Sequence, residues 1–275
     1  MKTALSLIAL TVFSWPAIAQ ETKLTPPTAT QEPLAEQSHC PISGEVLDDE
    51  KLSVDYEGQR VYLCCKKCVG KFNSFPDKWI ASLAKSGQGM ENIQSACPVS
   101  GKNLDSDAIT LIFNGKSIKV CCKKCVQKVK NDPATYFDKL EGRKPQEKCA
   151  VMGGKIIPKN SFVINGTHID QCCPGCENKW HAEPAKYFNK LAKKKIVLQP
   201  ASDRCPVKPK VQVKDRRYFI TLGARRFYFS SSNARATFLE NPKLYMKNLP
   251  KLPNTGPPPA MPAKSELAEK FGSKS

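Results

Sequence analysis

Cys64-Cys65-Lys66-Lys67-Cys68 recurs as Cys121-Cys122-Lys123-Lys124-Cys125, and Cys172-Cys173-Pro174-Gly175-Cys176 keeps the same three cysteine places. Working outward, each cluster follows a pair suited to a hairpin turn, Glu57-Gly58, Asn114-Gly115 or Asn165-Gly166, flanked by alternating apolar residues. Further upstream a single cysteine opens a tight turn: Cys40-Pro41-Ile42-Ser43-Gly44, Cys97-Pro98-Val99-Ser100-Gly101, and Cys149 with Met152-Gly153. Downstream, Pro76, Asp132-Pro133 and Pro184 mark a second short helix with proline in its first turn. A fourth segment keeps Cys205-Pro206-Val207 and Asn241-Pro242 but has Ser230, Ser231 and Ala234 where the cluster should stand. Self-comparison thus gives four repeats, 39–84, 96–141, 148–192 and 204–248. Each is predicted as a turn, a β-hairpin, and a helix whose first turn carries the cluster. The predicted class is α+β, built of tandem small modules that metal or disulfides stabilise.

The chain has 275 residues, 22 prolines, 13 cysteines and a formal net charge of +18. That proline and cysteine load argues against a single large enzyme core. A unit of about 45 residues buries too little apolar surface to fold readily alone, so the cysteines are expected to staple it. Lys2, the apolar run Ala4 to Phe13, and Ala17-Ile18-Ala19 read as a secretory signal over 1–19, which places the product in the periplasm or outside the cell. Residues 20–38, rich in Thr, Pro, Gln and Glu, are expected to be a disordered linker, and 249–275 a disordered Pro/Lys-rich tail.

A first cysteine with Pro and Gly, a hairpin, an apolar residue before Cys-x-x-x-Cys, then a Phe and a Pro-containing aromatic close resembles the related TRASH and YHS domains. The likeness covers about residues 39–246. It maps onto Cys40, Cys64 and Cys68, onto Cys97, Cys121 and Cys125, and onto Cys149, Cys172 and Cys176. Cys65, Cys122 and Cys173 are additions beside the middle ligand. The fourth repeat, with Tyr228-Phe229-Ser230-Ser231 and Asn241-Pro242-Lys243-Leu244-Tyr245, resembles the cysteine-poor YHS form. The resemblance implies a treble-clef-like fold and a part in heavy-metal binding, sensing or trafficking.

The residue chemistry agrees on soft metal. Thiolates suit Zn(II) and Cu(I), and cysteines at a helix start converge on one ion, about one ion per cysteine-rich repeat. The helix N-terminus and the adjacent lysines favour the thiolate. A closed structural zinc site calls for a second cysteine in the opening turn, where Ser43, Ser100 and Met152 stand instead. Closing a site to four sulfurs would therefore need both members of a vicinal pair such as Cys64-Cys65. A three-thiolate site favouring Cu(I) is the other solution, with the Met152 thioether available as a fourth soft ligand in the third repeat. Buffering, delivering or sensing metal is the expected role, with no enzymatic activity.

The competing reading is a disulfide-stapled structural or interaction protein of the cell envelope, since exported cysteines commonly pair. The Cys-x-x-Cys pairs Cys65–Cys68 and Cys122–Cys125 also admit a redox role, although they lack the βαβ setting of thioredoxin-like proteins. His39, beside Cys40, is a candidate auxiliary ligand; His168 and His181 read as surface or packing residues. The fourth repeat carries Tyr218, Phe219, Phe227, Tyr228, Phe229, Phe238 and Tyr245, which suits aromatic burial in a metal-free structural or partner-binding unit. The lysines are dispersed and no nucleic-acid motif appears, so nucleic acid is not the expected partner. They are expected to offset anionic thiolate clusters, to solvate helix faces, or to make weak contact with acidic partners and membrane headgroups.

Overall fold

The computed structural model describes residues 34–247 and Leu249; the expected signal segment and nearly all of the expected tail lie outside them. The first repeat consists of β1 (Leu52–Tyr56), β2 (Gln59–Leu63), α1 (Lys66–Ser74) and α2 (Pro76–Lys85), and a short β3 (Glu91–Asn92) follows. The second has β4 (Ile109–Phe113), β5 (Lys116–Val120), α3 (Lys123–Asn131) and α4 (Pro133–Glu141), followed by β6 (Lys144–Pro145). The third has β7 (Phe162–Ile164), β8 (Thr167–Ile169), α5 (Gly175–Ala182) and α6 (Pro184–Lys193), followed by β9 (Ile196–Val197). The fourth closes the chain with β10 (Phe219–Leu222), β11 (Arg225–Tyr228), α7 (Ser232–Glu240) and α8 (Pro242–Lys247). The architecture is α+β, with small antiparallel hairpins and paired helices. No helix among the described residues is long and apolar enough to cross a membrane.

The hairpins form where the turn chemistry puts them. Tyr56 pairs with Gln59, Phe113 with Lys116, and Ile164 with Thr167, each across a two-residue loop. Both loop residues hold positive φ: Glu57 52° and Gly58 76°, Asn114 56° and Gly115 81°, Asn165 49° and Gly166 70°. That is the turn whose twist matches a right-handed hairpin. β2 and β5 then alternate in burial along the strand, so Val61 and Leu63, or Ile118 and Val120, face the core. The second helix of each repeat starts at a proline whose missing N–H is not needed there. Asp132 precedes Pro133 without capping the helix; it accepts a hydrogen bond from the Thr135 hydroxyl at 2.7 Å.

The linker expected over 20–38 is ordered at its end. Ala35 bridges Gln88 in parallel, and the Gln37 side chain clamps the backbone of Tyr62, accepting from its N–H at 2.9 Å and donating to its carbonyl at 2.7 Å. The third repeat is bracketed in the same way, β6 lying parallel to β9. Backbone pairing at these edges supplies what composition could not announce.

Four repeats do not make four cores. The first packs Tyr56, Val61, Leu63, Phe72, Ile80 and Leu83 around its own cysteines. The third packs Phe162, Ile164, Ile169, Trp180, Tyr187 and Leu191, joined by Leu198 and Ala224. The second and fourth share one core, in which Leu111, Phe113, Ile118, Val129 and Phe137 meet Phe219, Ile220, Phe227, Phe229 and Phe238. The expected aromatic burial of the fourth repeat is therefore spent largely inside the chain.

Where the first, second and fourth repeats meet lies a buried charge network. Lys116 Nζ sits 2.7 Å from Glu57 Oε2 and 3.2 Å from Asp77 Oδ1, with all three side chains fully buried. Arg143 pairs with Glu57 and Asp138, Arg226 with Asp138, and Arg235 with Asp77. Lys116 also lies 4.6 Å from the ring centre of Phe219 and 5.0 Å from that of Phe137, a favourable setting for a desolvated cation. Lys116 is thus an exception to the expectation that the lysines offset thiolates or solvate helix faces. The network also accounts for Glu57 at a positive-φ site where the second and third hairpins carry asparagine and the fourth Gly223, because the Glu57 carboxylate is one of its three anions.

The turn of the second hairpin approaches α2 so closely that a Cβ on Gly115 would lie 2.8 Å from Ala84 Cβ. With φ at 81° the position also disfavours any L side chain. Gly115→Ala is expected to cost at least about 1–2 kcal/mol, read as a lowered urea midpoint with an unchanged slope.

Candidate metal centres

Each opening turn is a knuckle closed by its own backbone. Gly44 N–H donates to the Cys40 carbonyl at 2.9 Å and Cys40 N–H to the Glu45 carbonyl at 2.8 Å; Cys97 with Gly101 and Cys149 with Gly153 repeat the pattern. The second cysteine of each site, Cys64, Cys121 or Cys172, follows the hairpin. The last, Cys68, Cys125 or Cys176, lies in the first turn of α1, α3 or α5. Knuckle, hairpin and helix thus deliver one sulfur each.

They converge three times. Cys40, Cys64 and Cys68 have their sulfurs within 4.8 Å of one another, as do Cys97, Cys121 and Cys125, and Cys149, Cys172 and Cys176. Single separations are 3.7 Å for Cys64–Cys68, 3.8 Å for Cys121–Cys125, 3.7 Å for Cys149–Cys176 and 3.9 Å for Cys172–Cys176. Tetrahedral ligation at a metal–sulfur distance of about 2.3 Å spaces sulfurs about 3.8 Å apart. Donor chemistry and spacing both fit a soft metal ion, so three cysteine triads are each able to bind one. In each triad the first and last sulfur belong to buried residues and the middle one is half-buried.

Cys65, Cys122 and Cys173 are exposed and stand outside the triads. The reason is local: Cys65 (φ −159°, ψ 165°) and Cys122 (φ −166°, ψ 165°) are extended, and neighbouring side chains of an extended chain point to opposite sides. They still touch the site from outside, Cys122 Sγ lying 3.6 Å from Cys125 Sγ and Cys173 Sγ 3.4 Å from Cys176 Sγ. Ser43 and Ser100 place their hydroxyls 3.3 Å from the sulfurs of Cys64 and Cys121. Met152, at the matching turn position, has its side chain 64 % exposed. His39 turns to Ser38 and Gln88 rather than to Cys40. His168 faces Asp170, and His181 faces Glu177. Cys205 is a buried thiol in the core shared by the second and fourth repeats. All thirteen cysteines are unpaired.

Electrostatics sort the thiols within a site. Burial raises Cys40, but the Ser43 hydroxyl and the backbone amides of Cys64, Ser43 and Ile42 outweigh it and hold the thiol at about 6. Cys97 is held at about 6 by the equivalent groups, and Cys149 at about 7 by the amides of Met152, Cys172 and Val151. Burial pushes Cys68 up to about 11 and Cys125 to about 12, with Cys176 higher still. The knuckle cysteine is thus the thiol most readily ionised, and the helix cysteine the one that most strongly favours its proton in the absence of a cation. The exposed thiols are held below the ordinary value, Cys65 and Cys122 chiefly by the amides of Cys68 and Cys125, and Cys173 by the Cys176 side chain.

The fourth repeat shows the same elements without the chemistry. Ser231, at the place of Cys65 and Cys122, accepts a hydrogen bond from Ala234 N–H at 3.2 Å and caps α7. Neither Cys65 nor Cys122 makes such a side-chain bond. Comparison with family models, with curated proteins and with solved structures found no match to this chain.

Proposed function

We propose that the protein is an exported carrier of soft metal, binding Zn(II) or Cu(I) in three cysteine modules of the TRASH and YHS type and buffering or delivering it rather than catalysing a reaction. The observation that carries this reading is the threefold recurrence of one open donor set: three sulfurs per site and an exposed face. A structural zinc site closes with four protein ligands. Here the fourth turn position holds Ser43, Ser100 or the exposed Met152, and three sulfurs favour Cu(I) among soft ions. The fourth repeat, which contributes buried aromatic rings and Arg226 and Arg235 to the interior, serves the fold. A net charge of +18 suits an acidic partner or an anionic headgroup surface.

The test is elemental analysis of the mature chain, isolated without added metal, with a thiol count on the same sample. About three ions of zinc or copper per chain are expected, one per triad, with thiols protected until a chelator is added. No metal, together with oxidised clustered cysteines in protein taken directly from its compartment, would replace the carrier by the disulfide-stapled envelope scaffold. Ions that resist chelators and competing thiols would make the sites structural zinc.

A further inference from the structure

We propose that Cys65, Cys122 and Cys173 are exchange ligands, through which metal enters and leaves the buried triads. This rests on the metal-binding reading above and adds a route to it. The arrangement is graded: in the second repeat Cys97 is 1 % exposed and Cys125 6 %, Cys121 is half-buried, and Cys122 is exposed. Cys125 touches both Cys121, at 3.8 Å, and Cys122, at 3.6 Å. In the third repeat Cys176 likewise touches Cys172 at 3.9 Å and Cys173 at 3.4 Å. The helix cysteine is therefore common to an inner sulfur set and an outer one. An ion pivots on it from the buried triad toward the surface without ever losing all its sulfur ligands.

The exchange balances simply. Cys122 gives up its proton to water as its sulfur bonds the metal, and the bond from the metal to Cys97 or Cys121 breaks. The freed sulfur takes up a proton, and the oxidation state of the ion does not change. A thiol or thiolate of an acceptor then repeats the step on the exposed side.

A structural role for these residues is disfavoured by the chain itself. In the fourth repeat, which has no triad, the same place is Ser231, and its hydroxyl caps the helix. Serine is a strong capping residue, whereas Cys65 and Cys122 leave the cap unmade. A thiol retained there beside each triad, and absent where the triad is absent, points to the metal. It persists in the third repeat, although Pro174-Gly175 replaces the lysine pair.

The experiment uses the full chain carrying Cys65→Ser, Cys122→Ser and Cys173→Ser together, a change the fourth repeat already accommodates. Wild type and variant are loaded with Zn(II), and separately with Cu(I), and ion content, equilibrium affinity and the rate of loss to a chromophoric chelator are measured. Expected are equal ion content, affinity within about threefold, and exchange slowed at least about tenfold with whichever ion binds, without a loss of thermal stability. Unchanged exchange would make these thiols bystanders. Lower affinity together with faster loss of the ion would make them permanent fourth ligands. A wild-type chain that takes up neither ion removes the carrier reading as well, and the ion count tells that failure from the other two.

Discussion

Asp77→Ala is expected to destabilise the chain by about 3–5 kcal/mol, the range for removing one partner from a buried ion pair. Asp77 is fully buried, pairs with Lys116 and Arg235, and accepts a hydrogen bond from Thr221 N–H at 3.2 Å. The network holds the cations Lys116, Arg143, Arg226 and Arg235 against the carboxylates Glu57, Asp77 and Asp138. Loss of a carboxylate therefore deepens an existing excess of buried positive charge, whereas Lys116→Met relieves it and should cost less. Denaturant unfolding of the two variants gives the order directly, and a Lys116→Met chain less stable than Asp77→Ala would overturn the charge argument. Acid should act on the same place. Burial alone would raise Glu57, but Lys116 and Arg143 override it and bring its carboxyl from an ordinary 4.5 to about 2. A carboxylate depressed in the folded state stabilises fully above its unfolded value, and that contribution drains away as pH falls from about 4.5 through 2.

Cys68→Ala, Cys125→Ala and Cys176→Ala should each remove one ion per chain. The total binding energy of structural zinc, about 10–16 kcal/mol, makes one thiolate worth at least about 3 kcal/mol, or more than about a hundredfold in affinity. The fold should survive, because Ala234 already fills the equivalent place in α7, 2 % exposed. Ion content by elemental analysis, beside Cys205→Ala as a control whose content stays unchanged, checks the assignment. A Cys125→Ala chain that keeps its full complement of ions would show that the triad is not the binding unit.

Much of this was legible in the residues. The recurrence of Cys64-Cys65-x-x-Cys68, the positive-φ pairs and the helix-opening prolines are local signals, and local backbone chemistry settles them. The split between Cys64 and Cys65 was within reach too, since alternation along an extended chain places vicinal side chains apart. What stayed hidden is non-local. Lys116 reads as one more surface lysine and Glu57 as an odd turn residue until the hairpins of two repeats are placed against each other. Nothing in the sequence says that the fourth repeat, besides lending Ala224 to the core of the third, completes the core of the second. Nor does composition mark where a Pro- and Thr-rich stretch stops being linker, because the Ala35–Gln88 bridge depends on a partner far along the chain.

The contacts of the fourth repeat with the first and second also impose an order on assembly. Arg235 meets Asp77 across 158 positions, and Thr221 meets it across 144. A chain emerging from its N-terminus has presented all twelve clustered cysteines before it contains the residues that seal the second repeat. Contacts of such long range close late and slowly. The last repeat, the one with no metal chemistry of its own, is thus the timing element: until it arrives, the ligands of the second repeat stand in an unfinished core, open to ion capture and to oxidation alike.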